Sequence, residues 1–133
     1  MPATVKMVDY AEASPPVREV YDDIMATRQI DFIPNFWKTI ATHPPTLRRT
    51  WATLKEIMAP GALDARTKEM IAVAVSVTNG CEYCVRSHTA AARKLGMNEA
   101  MLGELMAVVG MFNETNRLAN GYMVEIDEGL LSE

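Results

Sequence analysis

The sequence has 133 residues, 49% of them hydrophobic and 23% charged, with 7 glycines and 7 prolines. That length suits a single domain spanning residues 1–133, and the balance excludes collagen, coiled-coil, low-complexity and disordered chains. Lys and Arg total 13 against 17 Asp and Glu, a net charge of -4, so no basic field exists to hold a phosphate backbone and nucleic acid is not an expected partner.

In chain order, the first ten residues contain no apolar signal-peptide core, and no uncharged apolar run approaches the roughly 18 residues of a membrane span. The expectation is a soluble, cytoplasmic protein with no membrane partner. Ser14, Pro15 and Pro16 read as a cap with first-turn prolines. Val17, Val20, Tyr21, Ile24 and Met25 then recur at three and four residues, which predicts a helix over 15–28. Residues 32–43 read as a short helix entered through Pro34, forced to stop ahead of Pro44 and Pro45. The next helix begins there, with Leu47, Trp51, Leu54, Ile57 and Met58 as its inward stripe and Pro60-Gly61 as its stop.

Asp64 can cap a helix whose stretch 70–77 is apolar on almost every face, which predicts burial all round. Asn79-Gly80 reverses the chain, a new helix starts close to Cys81, and Gly96 ends it. Asn98 caps another running to about Phe112, and Leu118, Tyr122 and Ile126 mark a last helix with a single stripe. Alternating strand patterns are scarce and no internal repeat is found. The expected fold is therefore all-α, a single-domain bundle of six to seven helices, with more apolar helix surface than one small bundle can cover and hence self-association.

The chemistry concentrates around the two cysteines, which form one Cys81-Glu82-Tyr83-Cys84 motif. Two are too few for the disulfide framework of a secreted mini-domain; in a reducing compartment such a pair is redox-active or metal-binding. With Cys81 at a helix start, Cys84 falls about three residues in, where free amides and the positive dipole end stabilise a thiolate. Comparable cysteines have their pKa lowered from about 8.5 to roughly 3.5–7.5. His88 follows Cys84 by four residues and Cys81 by seven, so all three share one stripe, with a rise to the imidazole of about 6 Å from Cys84 and about 10 Å from Cys81. Cys84 is thereby assigned as attacking thiol and Cys81 as resolving thiol.

Glu69 stands inside the apolar helix, where an ionised carboxylate needs a partner. It can orient His88 across the Asn79-Gly80 turn, completing a Glu-His-Cys relay, or pair with Arg66 one turn earlier. Zinc is a competing use of Cys81, Cys84, His88 and Glu69, though there is no second Cys-x-x-Cys or His-rich cluster. His43 reads as a helix-end residue, Trp37, Trp51 and Tyr83 as packing, and Arg86, about 200° around from Cys84, as surface or interface. Glu82 suits the helix dipole, and the ten methionines read as adaptable packing.

The run Leu63-Asp64-Ala65-Arg66-Thr67-Lys68-Glu69, followed by Cys81-Glu82-Tyr83-Cys84-Val85-Arg86-Ser87-His88-Thr89 and Gly96, resembles the carboxymuconolactone decarboxylase and alkylhydroperoxidase D-like superfamily. The resemblance implies an all-α fold that forms homo-oligomers, commonly trimers or hexamers, and a thiol peroxidase site acting on hydrogen peroxide or alkyl hydroperoxides. Carried over by position, Cys84 corresponds to the peroxidatic cysteine, Cys81 to the resolving one, and Glu69 with His88 to the proton relay. Tyr83 stands where the best-known alkylhydroperoxidases carry a second histidine. The implied electron donor is a dithiol, lipoyl-type or thioredoxin-like, and no haem, flavin or metal cofactor is required. The superfamily's decarboxylase branch, acting on a γ-lactone, is the competing enzyme reading. An oligomeric module that binds zinc or senses oxidation is the non-catalytic one.

Overall fold

The computed structural model describes residues 2–131, and every regular element in them is helical. The order is α1 (Pro15–Arg28), α2 (Asn35–Ile40), α3 (Pro44–Met58), α4 (Ala65–Asn79), α5 (Glu82–Lys94) and α6 (Glu99–Gly121), with single 3-10 turns at Tyr10–Glu12 and Glu128–Leu130. The all-α expectation holds. The helices fall into two compact units that divide after Ala59.

In the first unit α1 starts where the prolines place it, at the first two helical positions, although the Ser14 side chain makes no capping hydrogen bond. Its stripe of Val17, Tyr21 and Ile24 is buried with Trp37 of α2 and Leu47 and Trp51 of α3. The two indoles meet edge to face, with centroids 5.4 Å apart. The Tyr21 hydroxyl donates to the Val8 carbonyl at 2.8 Å, and burial pushes its phenol up to about 12. The second helix covers only Asn35–Ile40, less than the expected 32–43. His43 has left it: with Pro44 following, its backbone is extended at φ -128° and ψ 93°, and it becomes the residue preceding α3. Its Nδ1 lies 2.7 Å from Thr46 Oγ1, so it stands at the start of α3 and not at the end of α2.

Asp23 ties α1 to α3 by accepting from Trp51 Nε1 at 2.7 Å and from Lys55 Nζ at 2.9 Å. These donors, the indole first, hold its carboxyl below the usual value near 3.8. A carboxyl depressed on folding adds stability above its ordinary pKa and loses it as pH falls through the lowered folded value. Asp23→Asn is therefore expected to cost less than about 1 kcal/mol at neutral pH, the group being well solvated, and the cost shrinks toward zero well below pH 3.8. Urea midpoints of both proteins across that range measure it; a gap independent of pH would contradict the ionic origin.

In the second unit Asp64 Oδ1 accepts the Thr67 N–H at 2.7 Å, capping α4 as its sequence anticipates. Asn98 Oδ1 does the same for α6 through Met101 N–H at 2.8 Å. Helix α4 packs against both α5 and α6. Two expectations fail here. Helix α4 is not buried all round: Val73 is enclosed, but Ile71 and Val75 keep 47% and 53% of their surface exposed, because its two neighbours cover one side only. Nor is there a break near Phe112 followed by a separate last helix. Helix α6 continues through Leu118 to Gly121, Tyr122 caps it, and Ile126 lies in non-helical chain beyond. No proline interrupts 112–121. Asn113, just past that point, donates to the Val109 carbonyl at 2.8 Å and to Thr78 Oγ1 at 3.1 Å within the continuing helix.

Candidate active site

The site lies along the seam between α4 and α5, and the turn joining them sets its register. Gly80 takes a left-handed backbone, φ 71°, which a residue with a Cβ adopts only at a cost of about 1 kcal/mol. The turn is closed by Gly80 N–H donating to the Val77 carbonyl at 3.1 Å and Cys81 N–H donating to the Ser76 carbonyl at 3.0 Å. Cys81 thus closes α4 and caps α5 at once.

At the start of α5 the two cysteines are joined as a disulfide, with Cα atoms 5.3 Å apart. Cys81 Sγ also accepts the Cys84 N–H at 3.3 Å. The amide expected to favour a thiolate at the helix start therefore points at the sulfur of Cys81, not of Cys84. Glu82, in the first turn, pairs with Arg86 at 3.0 Å on the exposed side. Tyr83, expected as packing, keeps 43% of its surface exposed.

Nineteen residues apart in sequence, Glu69 and His88 meet across the seam, with Oε2 2.7 Å from Nδ1. Glu69 is only 8% exposed. An ionised carboxylate can only accept, so Nδ1–H donates, and the other ring nitrogen, Nε2, carries the lone pair available to a reacting proton. The alternative Arg66 pairing does not form. Arg66 lies toward Gly96, where an added Cβ would stand 3.5 Å from its Nη1 and where φ is +101°. The glycine that ends α5 also leaves room for this side chain.

His88 stands one turn beyond Cys84, about 6 Å along the axis. Neither sulfur is hydrogen-bonded to the ring among the described residues. Among the same residues no three His, Cys, Asp or Glu side chains are grouped as a metal site would need. An open groove of about 740 Å³ lies on the opposite face of α5, lined by Val85, Arg86, Thr89, Ala90, Leu102 and Met106 among others, and it contains none of the four site residues.

One residue of the seam escaped sequence reasoning. Ser76, inside the apolar stretch 70–77, follows Glu69 by two helical turns, so it shares that face of α4, and it is 8% exposed. Its only signal was polarity within an apolar run, at the spacing of Glu69 and Val73.

The model of the carboxymuconolactone decarboxylase family matches residues 44–124, from the start of α3 past the end of α6. The crystal structure of the alkylhydroperoxidase AhpD core from Rhodospirillum rubrum superimposes with a TM-score of 0.96 and 45% identity, covering all of both chains. An (R)-2-haloacid dehalogenase of Pseudomonas putida is 29% identical over 106 residues, 80% of this chain and 35% of that protein. An alkyl hydroperoxide reductase of Mycobacterium tuberculosis is 31% identical over 91 residues, 64% of this chain and 26% of its own length. The chain thus spans about a third and a quarter of these two relatives. By its match over most of the helical sequence, and by a fold shared along its whole length, the chain belongs to the carboxymuconolactone decarboxylase family.

Proposed function

We propose that the chain, acting as one functional domain, is a two-cysteine thiol peroxidase that reduces hydrogen peroxide or alkyl hydroperoxides. Cys84 is the attacking thiol, Cys81 the resolving thiol, and His88 with Glu69 the proton relay. The observation that carries this reading is the part-buried 2.7 Å contact of Glu69 with His88, whose ring stands one turn beyond a bonded cysteine pair on α5. A carboxylate that holds an imidazole by Nδ1 leaves Nε2 to take the thiol proton, through water, and to return it to the leaving group. The likeness to an alkylhydroperoxidase core and to an alkyl hydroperoxide reductase supports the same chemistry.

In the first step the Cys84 thiolate attacks a peroxide oxygen. An S–O bond forms, the O–O bond breaks, and His88 protonates the departing oxygen to water or an alcohol, leaving a sulfenic acid. Cys81 then attacks that sulfur, the S–O bond breaks, and a second oxygen leaves as water while the disulfide closes. An external dithiol, lipoyl-type or thioredoxin-like, returns two electrons by exchange and is itself oxidised to a disulfide. Such a cycle suits a reducing compartment, the cytoplasm. Pre-reduced protein is expected to consume one equivalent of peroxide while losing two free thiols per chain. Peroxide left unconsumed, with both thiols still titratable, would refute the reading.

Self-association belongs to the same proposal, as a trimer or hexamer. It is supported by Ile71 and Val75 on α4 and Val108, Met111 and Phe112 on α6, large apolar side chains left exposed in the second unit. Light scattering at micromolar concentration is expected to give a trimeric or hexameric mass, and a monomer mass would remove this part.

A further inference from the structure

Resting on the self-association part of that reading, we propose that the open groove on α5 seats residues 122–131 of a second copy of this chain. The groove, about 740 Å³, is lined by the apolar Val85 and Ala90 of α5 and Leu102 and Met106 of α6, together with Arg86 and Arg93. The two arginines lie seven residues, about 10 Å, apart along one stripe of the helix.

Residues 122–131 have the complementary character. Beyond Gly121 the chain runs non-helical from Val124 to Asp127, and Tyr122, Met123, Val124, Ile126, Leu130 and Leu131 keep 63–84% of their surface exposed. So dense a set of bare apolar side chains marks a contact surface. Glu125, Asp127 and Glu128 add three carboxylates, and the segment holds no Lys or Arg. Helix α5 is the reverse, with one carboxylate, Glu82, at its first residue against Arg86, Arg93 and Lys94. Laid extended in the groove, the segment turns alternate side chains to opposite sides, so Val124 and Ile126 meet its apolar lining while Glu125 and Asp127 face its arginines.

The arginines are available to such a partner. Arg86 pairs with Glu82 at 3.0 Å and Arg93 with Glu99 at 2.8 Å, but all four side chains keep half or more of their surface exposed, and pairs so solvated contribute at most about 1 kcal/mol. A guanidinium also has N–H donors enough for a second carboxylate. The occupant is another copy because the segment does not return to its own groove: α6 rises about 22 Å from Met106 to Gly121, and the apolar side chains beyond it stay bare. A segment-into-groove contact is heterologous, and three copies around a threefold axis fill every groove.

The first measurement is light scattering on the full chain and on a variant lacking residues 124–133, a deletion that removes no residue of α1 to α6. The full chain is expected to be an oligomer and the deleted one to have a lower mass, as is a full-length Val124→Asp, Ile126→Asp protein. A monomeric full chain overturns self-association and this contact with it; an oligomer whose mass neither variant lowers overturns the contact alone. In the second, a fluorescently labelled peptide of residues 122–131 is titrated into the deleted protein. It is expected to bind, and Arg86→Glu with Arg93→Glu to weaken it about tenfold. No binding, or equal binding to the double variant as for a segment seated on another face, overturns the assignment of the groove. Neither measurement uses peroxide, so each result stands apart from the thiol chemistry.

Discussion

Cys84→Ser is expected to bring peroxide consumption down to the rate of buffer alone, with the helical fold and the Glu69-His88 contact intact. A serine hydroxyl is not ionised near neutral pH, so neither the imidazole nor the helix start can make it a comparable nucleophile. Cys81→Ser is expected to behave differently. Its Cys84 still attacks, so it removes one equivalent of peroxide, then stalls as a sulfenic acid that a carbon-acid trap labels. This asymmetry separates attacking from resolving thiol. Sustained turnover by Cys84→Ser, or a single-equivalent burst from it in place of Cys81→Ser, would reverse the assignment.

Glu69→Gln carries the second large effect, a fall of roughly 100-fold in peroxide consumption with little change in stability. The amide oxygen can still accept from His88 Nδ1, so the ring keeps its orientation, but the negative charge that favours the imidazolium is gone. Burial makes the comparison clean. A carboxylate as enclosed as Glu69 is costly to desolvate, so neutralising it leaves the urea midpoint near or above the original. Glu69→Ala, by contrast, strands a largely buried N–H donor and is expected to cost about 1–3 kcal/mol. Full activity in Glu69→Gln would reduce the pair to a structural tie between α4 and α5.

Local signals account for most of the helices. Asp64 and Asn98 cap where their side chains reach the third amide, and Gly80 supplies the left-handed backbone that a reversal needs. Pro44 holds His43 extended and opens α3. The one long misjudgement was a break near Phe112, where Asn113 in fact continues the helix. Its side chain found the Val109 carbonyl and Thr78, a partner on α4 that sequence neighbours do not reveal. Hydropathy likewise marked α4 as fully buried because it counts apolar faces and not the neighbours available to cover them.

Spacing along a single helix is set by covalent geometry, so the sequence alone determined that Cys81, Cys84 and His88 share a stripe at a helix start, and that Glu69 needed a partner. Which partner it took depended on how α4 and α5 close against each other: the antiparallel seam brings Glu69 to His88 and turns Arg66 toward Gly96. The same closure buried Ser76 on the face of α4 that carries Glu69. Contacts between helices arise from packing in three dimensions, where a hydrogen bond is won by whichever group is held within reach, and no one-dimensional pattern contains that competition.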